Sequence, residues 1–428
     1  MLESISIKNF KSIANDTIEL GRVNVFIGEN GCGKSNILEA LAFASLGTTY
    51  ETIDADLLSI NGIRVAKPAL MMSAFEGKKQ GKDVFIDIAF AQGKLHCRAI
   101  PENKEDIYAK WESMNFLADN STNKYGFSRG NESMDNINSK IEKATLYSLL
   151  FESYKKEGET EDILALLNQN TNNLILELES LEESKKFKTN YLKFKESANY
   201  QLLENFLIYT LNTPALRGIP EFQKSRKGIY GENLDVMIGQ LAEKDLAELR
   251  EYIYSIGWLE DFFIDEKDKL KLKGYKLNQS KSLLYFRDKF MQKKNNVFSV
   301  ENANEGILHV LFYLTVLISP KTAKFFAIDN IETGLNPHLC RHLMTEMCKL
   351  AKEHDKQVLI TTHNPAVLDG LNLFDDEIRL FVVARNNIGQ TTTERILIKP
   401  EHEQKEGRRL KLSELWTRGY LGGISQDF

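Results

Sequence analysis

Eight residues, Gly28-Glu29-Asn30-Gly31-Cys32-Gly33-Lys34-Ser35, limit the folds open to this chain more than any other stretch. They fit the pattern G-x-x-x-x-G-K-[ST] at every fixed position. Val23–Ile27 ahead of them reads as a short buried strand, and residues 36–41 behind them as the first turns of a helix. Glycines let the backbone curl until successive N–H groups face phosphate oxygens. The helix N-terminus adds its partial positive charge. In this pattern Lys34 reaches the β- and γ-phosphates and the Ser35 hydroxyl ligates Mg²⁺. The bland alternative, a chance match in a glycine-rich loop, does not account for the strand before and the helix after.

At 428 residues the chain has room for two or three domains, or for one large domain carrying an insertion. No apolar run approaches the ~18 residues of a membrane helix. Residues 1–8 alternate apolar and polar like a strand, so no secretory signal is expected. Cys32, Cys97, Cys340 and Cys348 lack metal-ligand spacing and read as reduced thiols of a cytoplasmic protein. Cys32 is read as inert filler in preference to an oxidation-sensitive thiol. A net charge of −5 excludes a uniformly basic nucleic-acid coat but not a local patch.

Residues 1–20 predict two short strands with Phe10 and Lys11 at the turn. Val84–Phe90 predicts a strand, paired with 95–100 as a hairpin. Residues 101–140 are polar and read as the loop-rich entry to an insertion. From 141 to about 209 the pattern is helical, with Phe187, Tyr191, Phe194, Ala198, Leu202, Phe206 and Tyr209 on one face. A core face is the preferred reading of that stripe, a dimerisation or partner seam the second. Arg217, Lys224, Arg226 and Lys227 cluster beside Tyr230; a solvated loop is preferred to a nucleic-acid contact. Helix is expected again from 234 to about 259, then an exposed charged stretch over 260–282, then strands at 283–287 and 297–300.

A second ordered block follows. Gly306 opens an apolar helix over 307–318, ended by Pro320. Residues 325–329 form a hydrophobic run closed by Asp329, the form of a strand whose terminal acid faces the metal across from Lys34. A helix is expected over 337–352 and a buried strand over 357–363. Residues 380–384 and 395–398 predict a late hairpin around Asn387 and Gly389.

Taken in order, these blocks resemble an ABC-type ATPase head of the RecF/SMC/OLD-like group, in the AAA15/AAA_21 class of bacterial ATPases. The resemblance rests on Ile7-Lys8-Asn9-Phe10-Lys11-Ser12, the loop from Gly28 to Ser35 with Asn36, Ile328-Asp329-Asn330-Ile331-Glu332-Thr333-Gly334-Leu335-Asn336-Pro337, and Thr361-Thr362-His363-Asn364-Pro365. The ending Leu415-Trp416-Thr417-Arg418-Gly419-Tyr420-Leu421-Gly422-Gly423 also fits. It implies an α/β fold, a mixed sheet with flanking helices, interrupted by a mainly helical insertion. The halves of the head are expected at 1–100 and 283–428, with the insertion at 101–282. It implies ATP and Mg²⁺ as cofactors, with Asn30, Gly31, Cys32, Gly33, Lys34, Ser35 and Asn36 on the nucleotide and Ser35 and Asp329 on the metal. His363 resembles the switch histidine near the γ-phosphate. Asn304-Glu305-Gly306 stands where the family has its signature, Ser-x-Gly at a helix N-terminus, which caps the γ-phosphate held by a second subunit. Gln80 is available for the Q-loop but is not assigned to it. One departure matters: Asn330 follows Asp329 where the family has a catalytic glutamate, so Glu332 or His363 takes over or turnover is slow.

The leading expectation is a slow ATPase switch that dimerises through its heads. The resemblance implies a role in bacterial DNA repair or anti-phage defence, with a separate effector, nuclease or toxin, and with nucleic acid as a further partner. The alternative is a non-catalytic scaffold that holds and releases a partner protein with ATP. An OLD-type nuclease would need a Toprim domain, for which the stretch after His363 is too short.

Overall fold

Alternation over the first twenty residues folds as a hairpin, β1 (Leu2–Phe10) and β2 (Ile13–Glu19), with Leu2, Ile5, Ile7 and Phe10 turned inward. The computed structural model describes residues 1–91, 93–118, 197–222, 227–254, 256–277, 279–397 and 411–422. The hairpin joins β4 (Thr52–Ile53), β5 (Val84–Phe90), β6 (Gly93–Pro101) and β7 (Trp111–Ala118) in an antiparallel sheet of order β2-β1-β5-β6-β7-β4.

A second sheet contains β3 (Val23–Ile27), β8 (Ile208–Tyr209), β12 (Phe325–Ile328), β13 (Gln357–Thr361), β14 (Ile378–Arg385) and β15 (Thr391–Ile396). Its order is β15-β14-β3-β13-β12-β8, parallel except at the β15 edge, so the sheet is mixed. A strand's side chains alternate between faces, and here the alternation divides the interior in two. Val25, Ile328, Ile360 and Val382 point into a core shared with the helices Glu305–Ile318 and Pro337–Glu353. Phe26, Ala327, Leu359 and Val383 point into the other core, shared with the antiparallel sheet. Between the sheets runs the helix Lys34–Thr49, buried on nearly every side, with apolar residues all round it from Ile37 to Leu46. A small sheet of β9 (Leu259–Ile264), β10 (Leu284–Asp288) and β11 (Val297–Ser299) completes the strands among the described residues.

Three local expectations are corrected. The loop expected over 101–140 contains β7, whose backbone pairs with β6. Helix does not run on to Tyr209: it ends at Glu204, and Ile208–Tyr209 pairs with β12 because a parallel neighbour satisfies its backbone. The stretch 260–282 is not uniformly exposed, since β9 lies in it and buries Phe262. Phe187, Tyr191 and Phe194 of the expected helical stripe, Lys224 and Arg226 of the basic cluster, and Gly423 lie outside the described residues. The cluster's other members are engaged: Arg217 Nη2 donates to Ala303 O at 2.9 Å, and Lys227 Nζ to Asn61 Oδ1 at 2.7 Å.

Candidate functional site

The site forms where β3, β12 and β13 end side by side. Parallel pairing puts Ile27, Asp329 and Thr361 at one edge of the sheet, the edge at which open α/β sheets present their binding groups. The loop after β3 then turns so tightly that two of its glycines have no substitute. Gly28 has φ 151°, and a Cβ there would lie 2.1 Å from Val383 O. Gly33 has φ 114°, and a Cβ would lie 2.2 Å from Thr391 Oγ1. Gly33 is also the N-cap of the helix that begins at Lys34.

Glu29, Asn30 and Gly31 form the exposed tip, while Cys32, Gly33 and Lys34 are buried. Lys34 Nζ donates to Gly28 O at 2.8 Å and Glu29 O at 2.9 Å, and lies 3.3 Å from His363 Nδ1. Burial holds its ammonium below the usual lysine range, against the pull of Cys32, Asp329 and Glu332. An ammonium can only donate, so His363 Nδ1 accepts and the ring proton sits on Nε2. Burial first, and the Lys34 charge second, keep His363 below the ordinary histidine value, hence neutral at pH 7.

Ser35 Oγ donates to both carboxylate oxygens of Asp329, at 3.1 and 3.0 Å. Asp329 is fixed from behind by β8, whose Tyr209 O accepts its backbone N–H at 2.9 Å. A hydroxyl and a carboxylate facing each other are hard oxygen donors, the type Mg²⁺ takes together with water and phosphate. Among the described residues no group of three His, Cys, Asp or Glu could hold a metal alone. These two residues fit Mg²⁺ that arrives with a phosphate ligand.

Asn330 has φ 54°, a left-handed conformation that Asn tolerates better than other non-glycine residues. Its N–H donates to Thr361 Oγ1 at 2.9 Å. Glu332 Oε1 accepts from the His363 N–H and Oε2 from Thr362 Oγ1, both at 2.8 Å. The structure thus brings Lys34, Ser35, Asp329, Glu332 and His363 together.

Asn36, Asn304 and Gly306 lie outside this cluster, the last two on the helix expected to cap the γ-phosphate held by a second copy. Asn36 turns its side chain to Ser12 and Arg64, behind the loop. Asn304 caps its own helix, its Oδ1 accepting from Ile307 N–H at 2.9 Å. Gly306 faces the turn after Asp329, where a Cβ would lie 3.2 Å from Gly334 O. Gln80 donates its amide to Ala69 O at 2.7 Å.

Thr361 and Thr362 stood in the motif that carries the resemblance without a role of their own; here they fix Asn330 and Glu332. Two supporting residues escaped sequence reasoning. Arg385 Nε donates to Gly31 O at 3.0 Å, and Thr391 Oγ1 to Cys32 O at 2.7 Å. No local pattern marks either one.

The chain is similar to several known proteins. The family model described as an AAA ATPase domain matches residues 1–368. The DNA replication and repair protein RecF of Acetivibrio thermocellus is 30% identical over 103 residues, 24% of this chain and 26% of that protein. RecF of Listeria monocytogenes is 44% identical over 95 residues, 21% of this chain and 24% of that protein. The chain therefore spans about a quarter of the length of these curated relatives. A solved SMC head bound to the C-winged helix domain of ScpA is similar at 13% identity and a TM-score of 0.48, over 93% of this chain and 98% of that one.

Proposed function

The chain belongs to the AAA ATPase domain family, and from that premise we propose that it is a slow ATPase switch that binds ATP and Mg²⁺ at the loop 28–35 and dimerises through its heads. The observation that supports this most is the convergence of Lys34, the Ser35–Asp329 pair and neutral His363 at one sheet edge. On this reading Lys34 exchanges the Gly28 and Glu29 carbonyls for phosphate oxygens, while the N–H groups of the loop from Asn30 to Ser35 line the phosphates. Ser35 and Asp329 hold Mg²⁺, which when bound neutralises charge on the phosphate oxygens. Asn330 can orient a water but cannot take its proton. That task falls to Glu332 or His363, and general-base contributions of about 10²–10⁴ in rate explain why turnover is slow. Asn304 and Gly306 of one copy cap the γ-phosphate bound by the other. The setting we infer is cytoplasmic, in bacterial DNA repair or anti-phage defence alongside an effector protein. The RecF relatives support the DNA-repair side of that inference. Among the described residues no helix is long and apolar enough to cross a membrane.

A second reading is an ATP-gated scaffold that holds and releases a partner without turnover. It is favoured by one observation: both carboxylate oxygens of Glu332 are already engaged, by Thr362 and His363. ATP turnover at saturating ATP and Mg²⁺, with Lys34→Ala as the blank, separates the two. Turnover above the blank is expected. Bound ATP with turnover equal to the blank would favour the scaffold, and no ATP bound would overturn both.

A further inference from the structure

We propose that Thr391, on a hairpin beyond the residues the family model matches, is a positioning residue of the phosphate loop, holding its main chain through a one-way chain of hydrogen bonds. The proposal rests on the reading that this loop holds nucleotide phosphates.

Thr391 opens β15 and is only 1% exposed. Its Oγ1 lies 2.7 Å from Cys32 O and 2.7 Å from Ser12 Oγ. Ser12 Oγ in turn accepts from Asn36 Nδ2 at 2.7 Å, and Asn36 Oδ1 accepts from Arg64 Nη2 at 3.0 Å. The proton directions follow from the ends. A guanidinium only donates, so the Asn36 amide presents its oxygen to Arg64 and its nitrogen to Ser12. A carbonyl only accepts, so the Thr391 proton goes to Cys32. Ser12 is left to donate to Thr391. Every proton from Arg64 to Cys32 points the same way, and bonds aligned in this manner polarise one another.

The effect on the loop comes from peptide geometry. In a planar trans peptide the C=O and the next N–H point in opposite directions. Pinning the Cys32 carbonyl backward onto Thr391 therefore aims the Gly33 N–H forward, to the face where phosphate binds. The same contact explains why position 33 has no side chain, since a Cβ there would meet Thr391 Oγ1 at 2.2 Å and Ser12 Oγ at 2.9 Å. The backbone secures the hairpin as well, because Thr391 N–H donates to Ser12 O at 2.8 Å. β14 adds two contacts on the loop, Val383 O against Gly28 and Arg385 on Gly31 O.

The test uses the full chain and measures ATP–Mg²⁺ binding, turnover and melting temperature for Thr391→Val, Thr391→Ser and the Lys34→Ala blank. Valine keeps the shape and removes the hydroxyl. It is expected to weaken ATP binding about tenfold, with kcat at saturating ATP changed about threefold or less. Serine restores the hydroxyl and is expected to bind within about twofold of the parent. If T391V loses its fold, Ser12→Ala carries the same expectation, since it removes the proton that Thr391 accepts and leaves β15 intact. Parent-like binding by T391V, or T391S as weak as T391V, overturns the proposal. Parent binding no tighter than the Lys34→Ala blank overturns the nucleotide reading itself.

Discussion

On the proposed reading, Asn330 is the residue that sets the rate. It stands directly after Asp329, its N–H is fixed by Thr361, and its left-handed backbone suits Asn better than Glu. Asn330→Glu is expected to raise turnover about 10²-fold, the low end of a general-base contribution. It should also cost about 1 kcal/mol of stability, because glutamate lacks asparagine's tolerance of φ 54°. Steady-state turnover and thermal unfolding of one preparation read both. Unchanged turnover together with an unchanged dimer lifetime would remove the case for a slow switch. His363 makes a second prediction. Its value lies below the ordinary 6.5, so it stays neutral through pH 7 and charges only at lower pH, where a second cation would stand beside Lys34. Turnover should therefore hold at pH 7 and fall only at pH below the ordinary histidine range. His363→Gln should lower turnover about 10²-fold and erase that acid limb.

Among the elements, the helix Glu305–Ile318 depends on a lysine from another part of the chain. Lys356 is buried, and its Nζ lies within hydrogen-bond distance of Ser319 O, Thr322 O, Thr322 Oγ1 and Ala323 O, which share its three protons just past the helix C-terminus. A cation there complements the helix dipole, but burial pushes its pKa down to about 8. The unfolded chain keeps that proton up to about 10.5, so between pH 8 and 10.5 it binds more protons than the folded chain. This group therefore makes stability rise with pH across that window. Lys356→Met should abolish that rise and cost ~2 kcal/mol at pH 7 by leaving buried carbonyls without donors, as denaturant melts at pH 7 and 9.5 would show. Long or strongly patterned elements were legible in the sequence. The loop helix, β3, β12 and β13 declare themselves by predominantly apolar runs, and the glycine pattern marks the phosphate loop. β8 was not legible, because two residues carry no period and Ile208–Tyr209 is a strand only through its partner β12. Lys34, Ser35, Asp329 and His363, which the structure brings together, were singled out by motif and position. Thr391 and Ser12 act through a contact 379 positions apart, which no local pattern encodes.

At the scale of the whole molecule, the central sheet is assembled from distant segments. β3 lies between β13 and β14, and β12 carries β8 on its outer side. Neither core is complete without strands from both ends of the described chain. The same interleaving joins the loop at Cys32 to Thr391, 359 positions later. On a ribosome this order becomes a clock. At 5–20 residues per second, roughly 20–70 s separate the synthesis of the phosphate loop from that of the hydroxyl that holds it. Until β13 and β14 are made, late in that interval, β3 has no parallel neighbour on either side, and parallel pairing across such separations is slow to form. The nascent chain thus carries its glycine motif long before the β14–β15 hairpin that holds it is made, so the shaped loop waits on a hydroxyl synthesised 359 positions later.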